Sequence, residues 1–79
     1  MELHIISAFQ THMHEVAWVE LNSDAGNFVI QSGHAPMLLV LAPDKEIVFR
    51  LKNGKEESIA VPHGIAEVTR TRTTVIIQE

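Results

Sequence analysis

Short extended runs of apolar residues, separated by turn residues, recur along the whole chain. The clearest alternation is at residues 46–51, where Ile47, Phe49 and Leu51 share one face. No window of eleven or more residues keeps apolar side chains at helical spacing without interruption. The pattern therefore predicts an all-β fold. Strands are expected over residues 3–9, 16–21, 27–30, 37–41, 46–51, 57–61, 65–69 and 73–78.

Turn residues punctuate these runs about every ten residues. Asn53-Gly54 between two alternating runs predicts a β-hairpin with a type I′ turn, because both central residues of that turn need positive φ. Gly26 and Gly33 are likewise expected to adopt positive φ in tight turns. Many short strands at this spacing are typical of a sandwich or a small barrel. We expect a single small β-sandwich of about 8–10 short, mostly antiparallel strands.

Size and composition narrow the classes of protein. With 79 residues, 46% of them apolar, the chain corresponds to one domain over residues 1–79. The absence of cysteine excludes disulfides and zinc–thiolate sites. Six Lys and Arg against ten Asp and Glu disfavour a nucleic-acid binder, which needs clustered cations. No apolar stretch approaches the ~20 residues of a spanning helix, so direct membrane insertion is not expected.

Two predicted strands are apolar on both faces. In the second, Val16 and Trp18 alternate with other apolar residues, and in the last, Ile76 lies between Val75 and Ile77. A sandwich strand normally has one polar face toward water. Either loops cover these strands, or the domain presents an apolar patch to another protein.

Candidate chemistry in the sequence is sparse. His12 and His14 share one face of an extended segment and provide half of a metal site, which His34 would have to complete. The alternative function is therefore a small metal-dependent β-sandwich enzyme using these three histidines. The other interpretation is that His12 and His14 are polar residues of a solvated loop between strands, which requires no further ligand. Lys52 and Lys55 flank the predicted hairpin turn. A carrier domain has a modified lysine at such a position, but lysines there also occur as charged residues that keep a hairpin tip soluble. No glycine-rich phosphate loop is present, so we expect no nucleotide site.

One segment has a more specific pattern. Residues 24–39 read DAGNFVIQSGHAPMLL, and they resemble the pattern G-E-F-G-I-L-P-G-H-A-P-L-L of the epsilon subunit of F-type ATP synthases. Residues 54–61, 64–68 and 74–76 are similar to later parts of its N-terminal β-sandwich domain. The chain departs from the family at four turn or bulge positions, which are Val29, Ser32 and His63, and Asp44, where a glycine commonly follows the proline.

The resemblance implies a central-stalk rotor subunit that is not catalytic by itself. It would bind the gamma subunit and the loops of the membrane c-ring, and would help couple ion-driven ring rotation, and so ion transport, to ATP synthesis. It implies no cofactor and no metal. The expected location is peripheral, on the cytoplasmic face of a bacterial inner membrane. The C-terminal helical hairpin of the family is absent from this sequence.

The resemblance also implies which residues touch the c-ring. The contact with the c-ring is expected at Ala25, Gly26, Asn27, Ser32, Gly33 and His34, at one end of the sandwich. For the gamma subunit, the two strands that are apolar on both faces provide the candidates, and the contact is expected on an apolar face comprising Val16, Trp18 and Ile76.

Overall fold

The computed structural model describes residues 1–78, and β-strands are the regular structure in that range. Residues 1–78 include no helix able to span a bilayer. All eight predicted strands are present, with ends that differ by at most five residues from the predicted ones. They are β1 (Glu2–Ile6), β2 (Thr11–Ser23), β3 (Gly26–Gln31), β4 (Met37–Val40), β5 (Lys45–Leu51), β6 (Glu56–Val61), β7 (His63–Val68) and β8 (Arg72–Gln78).

The long strand β2 joins two layers. Its first half pairs with β1 in a five-stranded layer of order β4-β7-β8-β1-β2. Its second half pairs with β3 and β5 in a four-stranded layer of order β3-β2-β5-β6. All pairs are antiparallel except β1 with β8, which run parallel. The predicted all-β, mostly antiparallel fold is confirmed.

The core lies between the layers and follows from the alternation of the strands. In β7 the buried residues Gly64, Ala66 and Val68 alternate with exposed ones. The larger core side chains come from both layers and include Leu3, Ile5, Val68, Val75, Val19, Leu21, Ile30, Ile47 and Phe49. Burial of each large apolar side chain contributes about 1.5–3 kcal/mol to folding.

A β-bulge in β2 alters its alternation. The pairing register with β5 shifts between Val16 and Trp18. As a result Val16 and Val19 both point into the core, with two residues between them rather than one. Val16 has no exposed surface. The prediction that Val16 lies on an outer apolar face with Trp18 is therefore wrong, because the extra residue of the bulge moves it to the opposite side.

Strand β2 begins at Thr11, five residues earlier than the apolar pattern indicates. His12 and His14 pair with Ile5 and Leu3 of β1, so they belong to the strand and not to a loop. The two histidines are on the same face of the sheet as their partners Ile5 and Leu3, but His12 is exposed and His14 is half-buried. Because both are polar, the alternation of apolar residues did not reveal this part of β2.

The hairpin between β5 and β6 is present, but its turn is not of type I′. The amide of Gly54 donates to the Leu51 carbonyl at 2.9 Å, and the amide of Leu51 donates to the Lys55 carbonyl at 2.8 Å. Gly54 has a φ of +93°, whereas Asn53 has no positive φ. This is the three-residue loop that ends in a glycine bulge. Asn53 does not adopt the left-handed backbone conformation, and its side-chain oxygen accepts a hydrogen bond from the Lys55 amide at 2.9 Å.

Candidate functional site

The first predicted ring-contact segment forms the exposed turn between β2 and β3. The Ser23 hydroxyl accepts the Ala25 amide at 3.1 Å and donates to the Gly26 carbonyl at 3.2 Å. Gly26 has a φ of +132°, which confirms the predicted positive φ. The side-chain amide of the exposed Asn27 donates a hydrogen bond to the side-chain oxygen of Asn22 at 2.9 Å. The turn therefore presents polar groups on a locally braced backbone.

The second predicted segment, residues 32–34, follows the other end of β3. The amide of Gly33 donates to the Arg70 carbonyl at 2.7 Å, and the Arg70 guanidinium lies 3.4 Å from the Gly33 carbonyl oxygen. Gly33 has the predicted positive φ, at +86°. His34 Nδ1 lies 2.8 Å from the Ala35 carbonyl oxygen. Residues 32–34 are thus attached to the turn between β7 and β8.

The structure does not bring these two segments together. Strand β3 runs without interruption from Gly26 to Gln31 and is paired with β2 along its length. Five residue steps at ~3.4 Å separate its ends by about 17 Å. The expectation that both segments occupy one end of the sandwich is wrong, because an extended strand holds them at opposite ends.

The three residues predicted to bind the gamma subunit also lie apart. Val16 is in the core, as described above. Trp18 is half-buried on the outer face of the four-stranded layer, beside Gln31 and Arg50. Ile76 is 39% exposed on the outer face of the five-stranded layer. Because the two outer faces point in opposite directions, these residues cannot form one patch.

Ile76 belongs to a line of apolar residues on the outer face of the five-stranded layer. The pairing registers align four residues directly across β4, β7, β8 and β1, and these four are named here the apolar row: Val40, Ile65, Ile76 and Ile6. Val40 is 69% exposed and Ile65 is 37% exposed. Sequence reasoning missed Val40, Ile65 and Ile6, because their alignment depends on a register that single strands do not encode.

Charged residues lie on the same face, toward the start of β1. Arg72 lies 3.5 Å from the Glu2 carboxylate, and His4 Nε2 lies 2.7 Å from the same oxygen. The hydrogen bond with His4 lowers the pKa of the Glu2 carboxyl, while burial opposes this shift and the charge of Arg72 adds to it. This end of the face is therefore ionic, in contrast to the apolar row.

The histidines do not assemble a metal centre. His12 and His14 stack with ring centroids 6.5 Å apart, and the ring of His14 lies 5.0 Å from that of Phe49. In the part of the chain that the structure describes, no group of three His, Cys, Asp or Glu residues could hold a metal ion. The alternative site built from His12, His14 and His34 is not supported, since a zinc or iron site needs at least three protein ligands.

Comparison with known proteins gives one family over the whole length. Residues 1–79 match the family described as ATP synthase, Delta/Epsilon chain, beta-sandwich domain. The chain is also similar to a chain of the Euglena gracilis mitochondrial ATP synthase, in a cryo-EM structure of OSCP, F1 and c-ring in rotational state 1. The TM-score is 0.88 at 19% identity, and the match covers 98% of this chain and 49% of that one.

A second similar chain comes from the central stalk and c-ring of the Tetrahymena thermophila mitochondrial ATP synthase. Here the TM-score is 0.82 at 16% identity, and the match covers 100% of this chain and 63% of that one. The chain thus spans about half to two-thirds of the length of these chains. At such identities the likeness shows a shared fold.

Proposed function

Because the chain belongs to the ATP synthase delta/epsilon family, as its β-sandwich domain, we propose that it is a non-catalytic rotor subunit of an F-type ATP synthase. It binds the gamma subunit and the c-ring loops and helps couple ion-driven ring rotation to ATP synthesis. The observation that carries the proposal is the family match over the full length of the chain. The similar chains from ATP synthase structures support it.

The chain works within the membrane-associated complex without a nucleotide, cofactor or metal of its own. Its place on the cytoplasmic face of a bacterial inner membrane rests on the sequence resemblance. Both similar structures are mitochondrial. A peripheral position in either membrane requires only protein contacts to the rotor.

The c-ring contacts the turn at Ala25, Gly26 and Asn27. This turn is exposed and braced by side-chain hydrogen bonds, so it holds its shape without a partner. The Asn27 amide is a neutral hydrogen-bonding group, which suits polar ring loops. Residues 32–34 are the alternative contact, at the opposite end of β3.

The gamma subunit contacts the outer face of the five-stranded layer, around Ile76. The apolar row lies on this face and is partly exposed to water, which supports the assignment of this face to the gamma subunit. The outer face of the four-stranded layer is less suitable, because Trp18 there lies beside the polar Gln31 and Arg50. The turn and this face adjoin, because Val40 lines one hollow together with Asp24 and Ala25. One small domain thus offers neighbouring regions to the ring and to the gamma subunit.

Disulfide crosslinking in the assembled ATP synthase tests the ring contact, since the chain has no cysteine of its own. We expect the variant Asn27→Cys to crosslink with a cysteine placed in a c-ring loop. The matched variants are His34→Cys, beyond the other end of β3, and Lys52→Cys, in the hairpin turn far from Asn27 along β2 and β5. Crosslinking from either of these, with none from Asn27→Cys, would overturn the assignment.

A further inference from the structure

We propose that the gamma subunit docks on the apolar row, which forms a ridge across the strands of the five-stranded layer of this chain. The gamma subunit would place Lys or Arg residues along one side of that ridge. This inference rests on the proposed function and specifies the chemistry and the direction of the contact. It follows from the alignment of the apolar row and from the positions of the acidic residues on the same face.

The direction follows from the pairing registers. Val40 faces Ile65 across β4 and β7, and Ile76 faces both Ile65 and Ile6 across its two neighbouring strands. Four strands at ~4.8 Å spacing make a line about 14 Å long, perpendicular to the strands. The next aligned positions along these strands are Leu38, Glu67, Thr74 and His4, which are mostly polar. The continuous apolar surface is therefore long across the strands and narrow along them.

The other outer face lacks such a line. In the four-stranded layer, Val29 is 50% exposed and faces Glu20 of β2, which in turn faces Val48 of β5. A carboxylate thus separates the two apolar residues. A partner that buried this row would have to desolvate Glu20, which costs free energy unless a cation pairs with it.

The acidic residues of the strands lie on one side of the apolar row, while Asp24, in the turn after β2, lines a hollow with Val40 at the β4 end of the row. Glu67 is exposed and belongs to the set of paired positions next to the apolar row. Glu2 and Glu15 pair with each other and belong to the following set, two residues further along β1 and β2. Arg72 and the Met1 ammonium are the cations among them, each 3.5 Å from a carboxylate, of Glu2 and of Glu15 respectively. Glu67 is therefore the carboxylate on this side that has no ion pair within residues 1–78. On the other side of the row, β7 and β8 present His63 and Gln78, which carry no carboxylate. This asymmetry favours a partner that has cations on the acidic side only, and it therefore determines the orientation of the domain on the gamma subunit.

Paired valine variants test the ridge. In the full subunit, Val40→Ser removes an apolar contact from the row, and Val29→Ser makes the same change on the opposite face. With purified gamma subunit, we expect Val40→Ser to raise the dissociation constant about tenfold and Val29→Ser to leave it unchanged. Both valines are exposed, so neither change should alter the unfolding midpoint.

Paired charge reversals test the cationic side. Glu67→Lys is compared with Glu46→Lys, an exposed residue of the four-stranded layer. We expect Glu67→Lys to slow association several-fold at low salt, with a smaller effect at high salt, because exposed charges are screened. A compensating Lys→Glu or Arg→Glu change in the gamma subunit should restore the rate.

The outcomes separate the inference from the function. If wild-type protein binds gamma while Val40→Ser and Glu67→Lys behave as their controls do, the ridge is wrong and the rotor function stands. If only Glu67→Lys has no effect, the cationic side is wrong. If wild-type protein binds no gamma subunit, the proposed function itself fails.

Discussion

Asp44 is the one non-glycine among residues 1–78 with a positive φ, at 59°. It follows Pro43 in the turn before β5, at the position where the resembling family commonly has glycine. Its amide donates to the Pro62 carbonyl at 3.1 Å, so the turn is held in this conformation. Left-handed backbone costs a residue with a side chain more than it costs glycine, although aspartate tolerates it better than most.

We therefore expect Asp44→Gly to stabilise the fold by about 0.5 kcal/mol, the relief of strain being partly offset by the greater freedom of glycine in the unfolded chain. Asp44→Val should destabilise it by about 1–2 kcal/mol. Urea unfolding midpoints measure both. Asp24→Gly is the control, because Asp24 lies in a turn without positive φ. A midpoint that falls with Asp44→Gly would contradict the strain argument.

At the scale of the elements, β7 and β8 approach closely at Gly64. A Cβ atom added there would lie 2.6 Å from the Ile76 carbonyl oxygen and 3.2 Å from Val61 Cγ1. The first neighbour is backbone of the paired strand and cannot move without disturbing the ladder. The structure thus needs glycine at position 64 for space, whereas the neighbouring His63, one of the departures from the family pattern, is exposed.

Gly64→Ala should accordingly destabilise the protein by about 2 kcal/mol, because the new methyl group overpacks a site closed by backbone. His63→Ala, the neighbouring change on the exposed side of β7, should alter stability by less than about 0.5 kcal/mol. Thermal or urea unfolding of the two variants checks the contrast. Equal midpoints for both would show that β7 and β8 separate at little cost.

At the scale of the whole molecule, the two layers form a slab of 29 × 26 × 17 Å whose outer faces point away from each other. Trp18, the one tryptophan of the chain, is on the face of the four-stranded layer. It therefore reports on the face opposite the apolar row.

Adding a tryptophan-free gamma subunit should leave the emission maximum of Trp18 unchanged. In the matched variant Trp18→Phe with Ile65→Trp, the new indole lies in the apolar row, and its emission should shift to shorter wavelength when gamma binds and excludes water. A shift for Trp18 with none for the residue-65 indole would place the gamma subunit on the four-stranded layer instead.

The amino-acid sequence determined the strands apart from the first half of β2, because alternation with period two and turn residues are local properties. Residues 46–51 alternate clearly, and β5 lies there. The positive φ of Gly26 and Gly33 was also predictable, since few other residues adopt it readily. The family pattern around Gly33-His34-Ala35-Pro36 indicated the functional class from the sequence alone.

Tertiary structure decided which residues share a surface. The bulge beside Val16 reversed its side, and no local signal in the sequence marks it. Strand β3 separated Asn27 from His34, and the two layers turned Trp18 and Ile76 to opposite faces. The apolar row exists only because four strands pair in one register, and a shift of one residue would turn each of its side chains to the other face. Contact surfaces depend on pairing between distant segments, which a pattern along one segment does not specify.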